Sequence, residues 1–275
     1  PPMSNIHQDT DIGKIIIDED TGSVVIIDTT QTIARMQGAI KNMEEALGIY
    51  VFNRDVLSQR LAEDAIRPDS PHDFGYAIIP GMVGRDKVYA YEFAGYWRDI
   101  GTPQAYYAAN MELIGAQPSF SINHTRTVLT QRLNMPQPAI SEQAIVVNSL
   151  LSPGCVIKGR VENSILAPGV WVDEQATVRN SVLMPNVFVS RHSAVDTCII
   201  DEGANIGKLC NIGFGKSLLP GDVDITVLGR GVTVPSYTAI GRNCTVLPHV
   251  DTANLRGNLI ASGCVVSQHR IAQKS

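Results

Sequence analysis

Cations, histidines and cysteines in the second half of this chain are the first residues whose chemistry could be used. Lys158, Arg160, Arg179, Arg191 and Lys208 sit at solvent-facing positions of a regular pattern. They are candidate contacts for an anion or, more plainly, the charged part of a solvated face. A histidine can serve as general base near neutral pH, and the candidates here are His192, His249 and His269. His192 follows Val189-Ser190-Arg191 at an expected turn, so an exposed polar turn residue is its plainer reading. The 5 cysteines all lie beyond residue 150, and none is paired at the CxxC spacing of a zinc site. Cys155, Cys210, Cys244 and Cys264 fall where small buried residues are needed, which suits a reducing compartment.

What positions these residues is a tandem repeat. Asn148-Ser149-Leu150-Leu151, Asn163-Ser164-Ile165-Leu166, Asn180-Ser181-Val182-Leu183 and Thr197-Cys198-Ile199-Ile200 begin 15, 17 and 17 residues apart. A period this short marks a solenoid. Within it, Leu166, Val172, Val178, Leu183, Val189, Val195, Ile200 and Ile206 follow one another at steps of 5 or 6, and Leu228, Val234, Ile240 and Val246 at strict steps of 6. Helices repeat near 3.6 and strands at 2, so neither isolates one aliphatic every six residues. A coil with three flat sides does, each side turning one aliphatic inward. A small residue four places on fits the corner, as Ala176, Cys210, Thr238, Cys244 and Cys264 do. Coils of this kind stack at about 4.8 Å, the inter-strand distance. The pattern resembles the left-handed parallel β-helix of hexapeptide repeats and is expected over residues 144–275, with 258–266 as one last coil. Its open strand edges must be capped or paired.

The composition narrows the function classes. The chain has 275 residues, 44% hydrophobic, with a net charge of −5 and no basic tract. One large or two modest domains are expected. Nucleic acid finds no electrostatic footprint, and no apolar run reaches the 18 or more residues of a membrane span. No signal-peptide pattern opens the chain as given, and a cytoplasmic location is expected.

Before residue 115 the pattern is α/β. Lys14–Ile17 and Ser23–Ile27 read as strands around the turn-forming Asp18-Glu19-Asp20-Thr21-Gly22. Gly48-Ile49-Tyr50-Val51-Phe52 reads as a third strand, and Asn53 as the cap of a helix beginning near Arg54. Asp73-Phe74-Gly75 leads into Ile78-Ile79-Pro80. Lys87–Phe93 alternates like a strand. Thr102-Pro103 opens a helix running to about Ile114, with Pro103 suited to its first turn. The expected organisation is a partial α/β domain over residues 1–115, a proline-bearing linker over 116–143, and the β-helix after it.

One stretch is specific enough to carry a family resemblance. Gly95-Tyr96-Trp97-Arg98-Asp99-Ile100-Gly101-Thr102, followed by Tyr106, Ala109, Asn110 and Met111, resembles the sugar-nucleotidyltransferase signature of glucose-1-phosphate adenylyltransferases. His72-Asp73-Phe74-Gly75 and Gly48–Phe52 match two further motifs in the same order. The resemblance covers nearly the whole chain, because that family joins a nucleotidyltransferase domain to a C-terminal left-handed β-helix; it implies a partial Rossmann-like nucleotidyltransferase domain here, followed by the β-helix. It implies transfer from ATP to glucose 1-phosphate, giving ADP-glucose and pyrophosphate for glycogen or related α-glucan synthesis. It implies Mg²⁺ as cofactor with Asp99 as catalytic and metal-binding residue. Asp73, Phe74, Trp97 and Tyr50 then stand at sugar-site positions. As plainer readings, Asp99 is a helix-entry carboxylate, Trp97 a packed aromatic, and Tyr50 and Phe74 core residues.

The departures from that family are equally specific. No Gly-rich loop with an Arg, which would cradle a triphosphate through backbone N–H groups, occurs in the chain, and no first metal aspartate. The family's Glu-Lys-Pro is replaced by Asp28-Thr29-Thr30-Gln31, with no lysine from there until Lys41. Ala46 stands at a small-hydroxyl position, and Tyr76-Ala77 at a Lys-Asp position. Losing the lysine alone removes a charge-assisted phosphate contact of about 1.5–3 kcal/mol. The chain is therefore expected to be the C-terminal portion of a longer protein, or a truncated gene product starting at Met3, and inactive alone. A non-catalytic regulatory subunit is the first alternative and a hexapeptide-repeat acyltransferase the second, with a pure scaffold as a third possibility. Homo- or hetero-oligomers through the β-helix are expected.

Overall fold

One aliphatic every fifth or sixth residue cannot make a helix, but it can fill a prism whose three walls are parallel sheets. The computed structural model, which describes residues 14–18, 23–27, 49–89, 96–115, 134–215, 224–252, 258–268 and 270–274, builds that prism. The chain divides into two units, Pro1–Trp97 and Arg98–Ser275.

In the second unit the walls run from Ala139–Ile140 to Thr233–Val234, from Ile145–Val147 to Leu259–Ile260, and from Leu150–Leu151 to Cys264–Ser267. Parallel pairing is in register, so each inward residue sits over its counterpart in the next coil. One wall stacks Ile157, Val172, Val189, Ile206 and Val234. The second stacks Val161, Val178, Val195, Ile212, Ile240 and Ile260. The third stacks Leu166, Leu183, Ile200, Leu228, Val246 and Val266. All are at most 2% exposed. The small-residue slots behave as expected: Ala176, Cys210, Thr238, Cys244 and Cys264 are all buried. Cys264–Ser267 is paired on its outer edge by the antiparallel strand Arg270–Gln273, which covers an otherwise open ladder.

The tandem Asn-Ser motif now has a cause. Asn148, Asn163, Asn180 and Thr197 all adopt left-handed backbone, with φ of 44°, 45°, 47° and 56°. Asparagine tolerates that region better than most residues. Their side chains also form a column: Asn148 Nδ2 donates to Asn163 Oδ1 at 2.8 Å and Asn180 Nδ2 to Asp196 Oδ1 at 3.0 Å. The serines form a second column. Ser164 Oγ donates to Glu162 O at 2.7 Å and accepts from Ser181 N, while Ser181 Oγ donates to Arg179 O and accepts from Cys198 N at 3.1 Å. Each hydroxyl thus satisfies one buried carbonyl and one buried N–H of the corner.

The first coil begins earlier than residue 144. Ala139–Ile140, inside the stretch assigned to the linker, already pairs with Val156–Ile157. The helix at Pro103–Met111 also joins the second unit. Tyr107 is buried among Val182, Ile199 and Ile225, and its hydroxyl donates to Asn180 O at 2.7 Å.

In the first unit, strands Lys14–Asp18 and Ser23–Ile27 pair as an antiparallel hairpin, as expected. Helix α1, Arg54–Ala65, is capped by Asn53, whose side chain accepts from Asp55 N and Val56 N. A π-helical turn, Phe74–Ile78, runs into the short helix α2, Ile79–Met82. Helix α3 is Pro103–Met111 of the second unit, and Thr102 caps it by accepting from Ala105 N. Two strand readings need correction. Residues 49–52 are irregular, with Ile49 and Val51 73% and 76% exposed, because no strand among the described residues pairs with them. Lys87–Tyr89 is likewise not a strand, and residues 90–93 lie outside the described residues, as does Gly48. No described helix is long and apolar enough to cross a membrane.

Candidate functional site

The residues expected at a sugar site divide between the two units. In the first unit, Tyr50, Phe52 and Phe74 form a three-ring cluster with centroids 5.6–6.2 Å apart. Tyr50 and Phe74 are each 38% exposed, so the cluster presents a ring surface to solvent and is not closed core. Phe74 is held by the turn it opens. Asp73 is extended, and its Oδ1 accepts from Gly75 N at 2.8 Å and Tyr76 N at 2.9 Å. That carboxylate therefore works as a cap. The structure brings Tyr50, Asp73 and Phe74 together within one unit, and Trp97, half-buried, is the last residue of that unit.

Behind this turn lies a network of which the sequence motifs marked only His72. Asp64, buried at the end of α1, accepts from Ser70 Oγ at 2.5 Å and meets His72 Nδ1 at 2.7 Å. The Ser70 hydroxyl and the His72 ring hold its carboxyl below the usual carboxylate range. Beside it, Arg60 grips Asp86 bidentately at 2.7 and 2.8 Å and also reaches Glu63 at 2.8 Å. Arg60 likewise depresses Asp86 and Glu63. Arg60, Glu63, Asp64, Arg67 and Arg85 line a shallow pocket there, in which Arg60 and Arg85 both pair with Glu63. One sequence signal existed: an acid in the last turn opposes the helix dipole, so Asp64 needed a partner elsewhere.

Asp99 belongs to the second unit. It is exposed, and its Oδ1 accepts from Gly101 N at 2.8 Å, which shapes the entry to α3. A single exposed carboxylate can supply one ligand to a Mg²⁺ whose other ligands are phosphate oxygens and water. Among the described residues no group of three or more His, Cys, Asp or Glu could hold an ion by itself.

The β-helix residues with possible chemistry are mostly committed. Arg160 pairs with Glu162, Arg179 with Asp196 at 3.1 Å, and Arg191 with Asp173 at 3.4 Å. The Lys158 ammonium lies 5.0 Å from the centre of the Trp171 ring. Lys208 is exposed. These cations form separate surface pairs, not a convergent anion pocket. His192 and His249 are exposed corner residues with φ of 61° and 59°. They sit at different corners, since the His192 amide donates to Glu174 O and the His249 amide to Arg230 O. His269 lies outside the described residues. The five thiols are free and buried, and burial pushes Cys155, Cys198, Cys210 and Cys244 up, away from the reactive thiolate.

Comparison with known proteins agrees with this layout. Residues 37–115 match the nucleotidyl transferase family, and residues 136–218 match the family described as GlmU-like, C-terminal hexapeptide. The glucose-1-phosphate adenylyltransferase of Acetivibrio thermocellus is 37% identical over 213 residues, 74% of this chain and 50% of the relative. Those of Pseudothermotoga lettingae and Fervidobacterium nodosum are 40% and 38% identical, covering 79% and 81% of this chain and 54% and 56% of theirs. The chain spans about half the length of the curated relatives it matches.

Proposed function

We propose, on the premise that this chain is related to the glucose-1-phosphate adenylyltransferases, that it forms part of an enzyme making ADP-glucose in the cytoplasm for α-glucan synthesis. A phosphate oxygen of glucose 1-phosphate attacks the α-phosphorus of ATP, and the bond to the departing pyrophosphate breaks. The observation that carries this reading is the succession, in one chain, of a nucleotidyl transferase segment and a hexapeptide-repeat segment. Such chemistry depends on alignment and on screening of phosphate charge. Tyr50, Asp73, Phe74 and Trp97 form the sugar side, and Asp99 offers one carboxylate to Mg²⁺. A bound Mg²⁺ would screen the phosphates. No triphosphate loop occurs in these 275 residues, so the chain alone turns over no ATP. The β-helix supplies the surface for homo- or hetero-oligomers.

A second reading, a non-catalytic regulatory subunit, is favoured by two substitutions. Asp28-Thr29-Thr30-Gln31 and Tyr76-Ala77 replace segments that bear lysine in the resembled family. The test is pyrophosphate release from ATP and glucose 1-phosphate with Mg²⁺, on this chain and on the full product of its reading frame. Turnover by the full product only, lost in Asp99→Asn, supports the enzyme. A silent full product that raises the activity of a catalytic relative on mixing supports the regulatory subunit. Silence in every setting overturns both.

A further inference from the structure

We propose that Asp64 is the positioning residue of the turn that presents Asp73 and Phe74, acting through the backbone of His72. The inference rests on the reading of that turn as the sugar side of a nucleotidyltransferase site.

His72 has φ of +52°, left-handed backbone that a non-glycine residue holds only when its surroundings over-determine it. Three contacts do so. Asp64 Oδ2 takes the His72 ring at 2.7 Å, Asp64 Oδ1 accepts from Ser70 Oγ at 2.5 Å, and the same Ser70 Oγ accepts from the His72 amide at 3.1 Å. One carboxylate therefore grips His72 twice, directly through the ring and through Ser70 at the backbone. An ionised carboxylate only accepts, so His72 Nδ1 carries the proton and donates.

The path of the chain beyond His72 depends on that φ. Asp73 comes next in extended conformation, capping Gly75 and Tyr76, and Phe74 reaches the rings of Tyr50 and Phe52 at 5.8 and 5.6 Å. If His72 returned to negative φ, the chain would leave α1 in another direction, and the Asp73 cap and the Phe74 ring contacts would go with it. Asp64 itself lies behind the turn, on a helix, and is 7% exposed. It acts by aim and not by touching substrate.

The experiment is NMR on the whole 275-residue chain and its Asp64→Asn variant. Three readouts are taken: amide exchange at Gly75 and Tyr76, the downfield proton on His72 Nδ1, and titration with glucose 1-phosphate. In Asp64→Asn the two amides are expected to exchange about tenfold faster or more, and the Nδ1 proton signal to vanish, with β-helix amides unchanged. Ser70→Ala should give a smaller rise and keep the His72 signal, which serves if Asp64→Asn fails to fold. Unchanged exchange at Gly75 and Tyr76 in Asp64→Asn and Ser70→Ala would overturn the proposal. Where the parent chain binds glucose 1-phosphate, Asp64→Asn should weaken it about tenfold, and equal binding would overturn the proposal. If the parent chain and the full product both fail to bind the sugar phosphate while the exchange effect appears, the sugar-side reading falls and the positioning of the turn stands.

Discussion

The β-helix and the residues before Arg98 hold their shape by opposite means. In the interior coils of the β-helix an inward aliphatic such as Leu183 has a like residue above and below it, and Ser164 and Ser181 repeat the same two hydrogen bonds. Stability is then close to a sum of equal neighbour terms. The described residues of the first unit show no such repetition. Ile49, Val51, Ile66 and Tyr76 are 73%, 76%, 83% and 68% exposed, and the segment is tied by individual polar grips such as Arg60 on Asp86 and Asp64 on His72. The difference teaches where tolerance lies: one altered coil is felt through packing, while one altered grip in the first unit redirects a turn.

Paired truncations sharpen this contrast most. Leu183→Ala empties a fully buried place between Leu166 and Ile200 and should cost about 2–5 kcal/mol. Ile49→Ala should stay within about 0.5 kcal/mol. Denaturant unfolding checks both, and equal costs would break the comparison. Next, Ser181→Ala strips the buried Cys198 amide of its hydroxyl partner, while the Arg179 carbonyl keeps the Thr197 amide, at about 1–3 kcal/mol. Smaller still is Tyr107→Phe, which loses only the hydroxyl bond to Asn180; a loss of about 1 kcal/mol is expected by the same unfolding measurement.

Acid should separate the units without any mutation. Asp64, Asp86 and Glu63 have depressed folded pKa values, held down by Ser70 and His72 in the first case and by Arg60 in the others. A depressed carboxylate stabilises the fold fully above its unfolded pKa of about 4 and loses that contribution as pH falls through the folded value. The β-helix has depressed carboxylates too, Glu162 and Asp173, but they lie outside the three inward ladders, which contain no ionisable side chain. On lowering pH, NMR signals of residues 54–89 should therefore collapse before those of the β-helix, and simultaneous loss would contradict the contrast.

The same contrast explains what could be read from the sequence. The ladders were legible because a single inward residue per wall leaves an unmistakable spacing, and the tandem Asn-Ser segments marked the repeat. Asn53 and Thr102 were legible as helix openers, whereas the left-handed corners and the capping role of Asp73 were not. The place of α3 was not, since Tyr107 meets Asn180 across 73 residues with no periodic signal. Gly48–Phe52 had the composition of a strand, but a strand also needs a partner, and composition does not supply one. The grip on His72 comes from Asp64 and Ser70, 8 and 2 residues away, across a turn that carries no repeating pattern to announce it.

The central claim is that the candidate metal ligand and the candidate sugar-side rings are held by different bodies: Asp99 enters α3, which docks on the β-helix, while Tyr50, Asp73 and Phe74 are fixed within the first unit. Native-state hydrogen exchange across increasing denaturant tests it directly. The account predicts that amides of residues 106–111 open together with the β-helix ladders, and that amides of residues 57–65 and 75–79 open earlier and separately. Residues 106–111 opening with the first unit, while the β-helix stays closed, would contradict it.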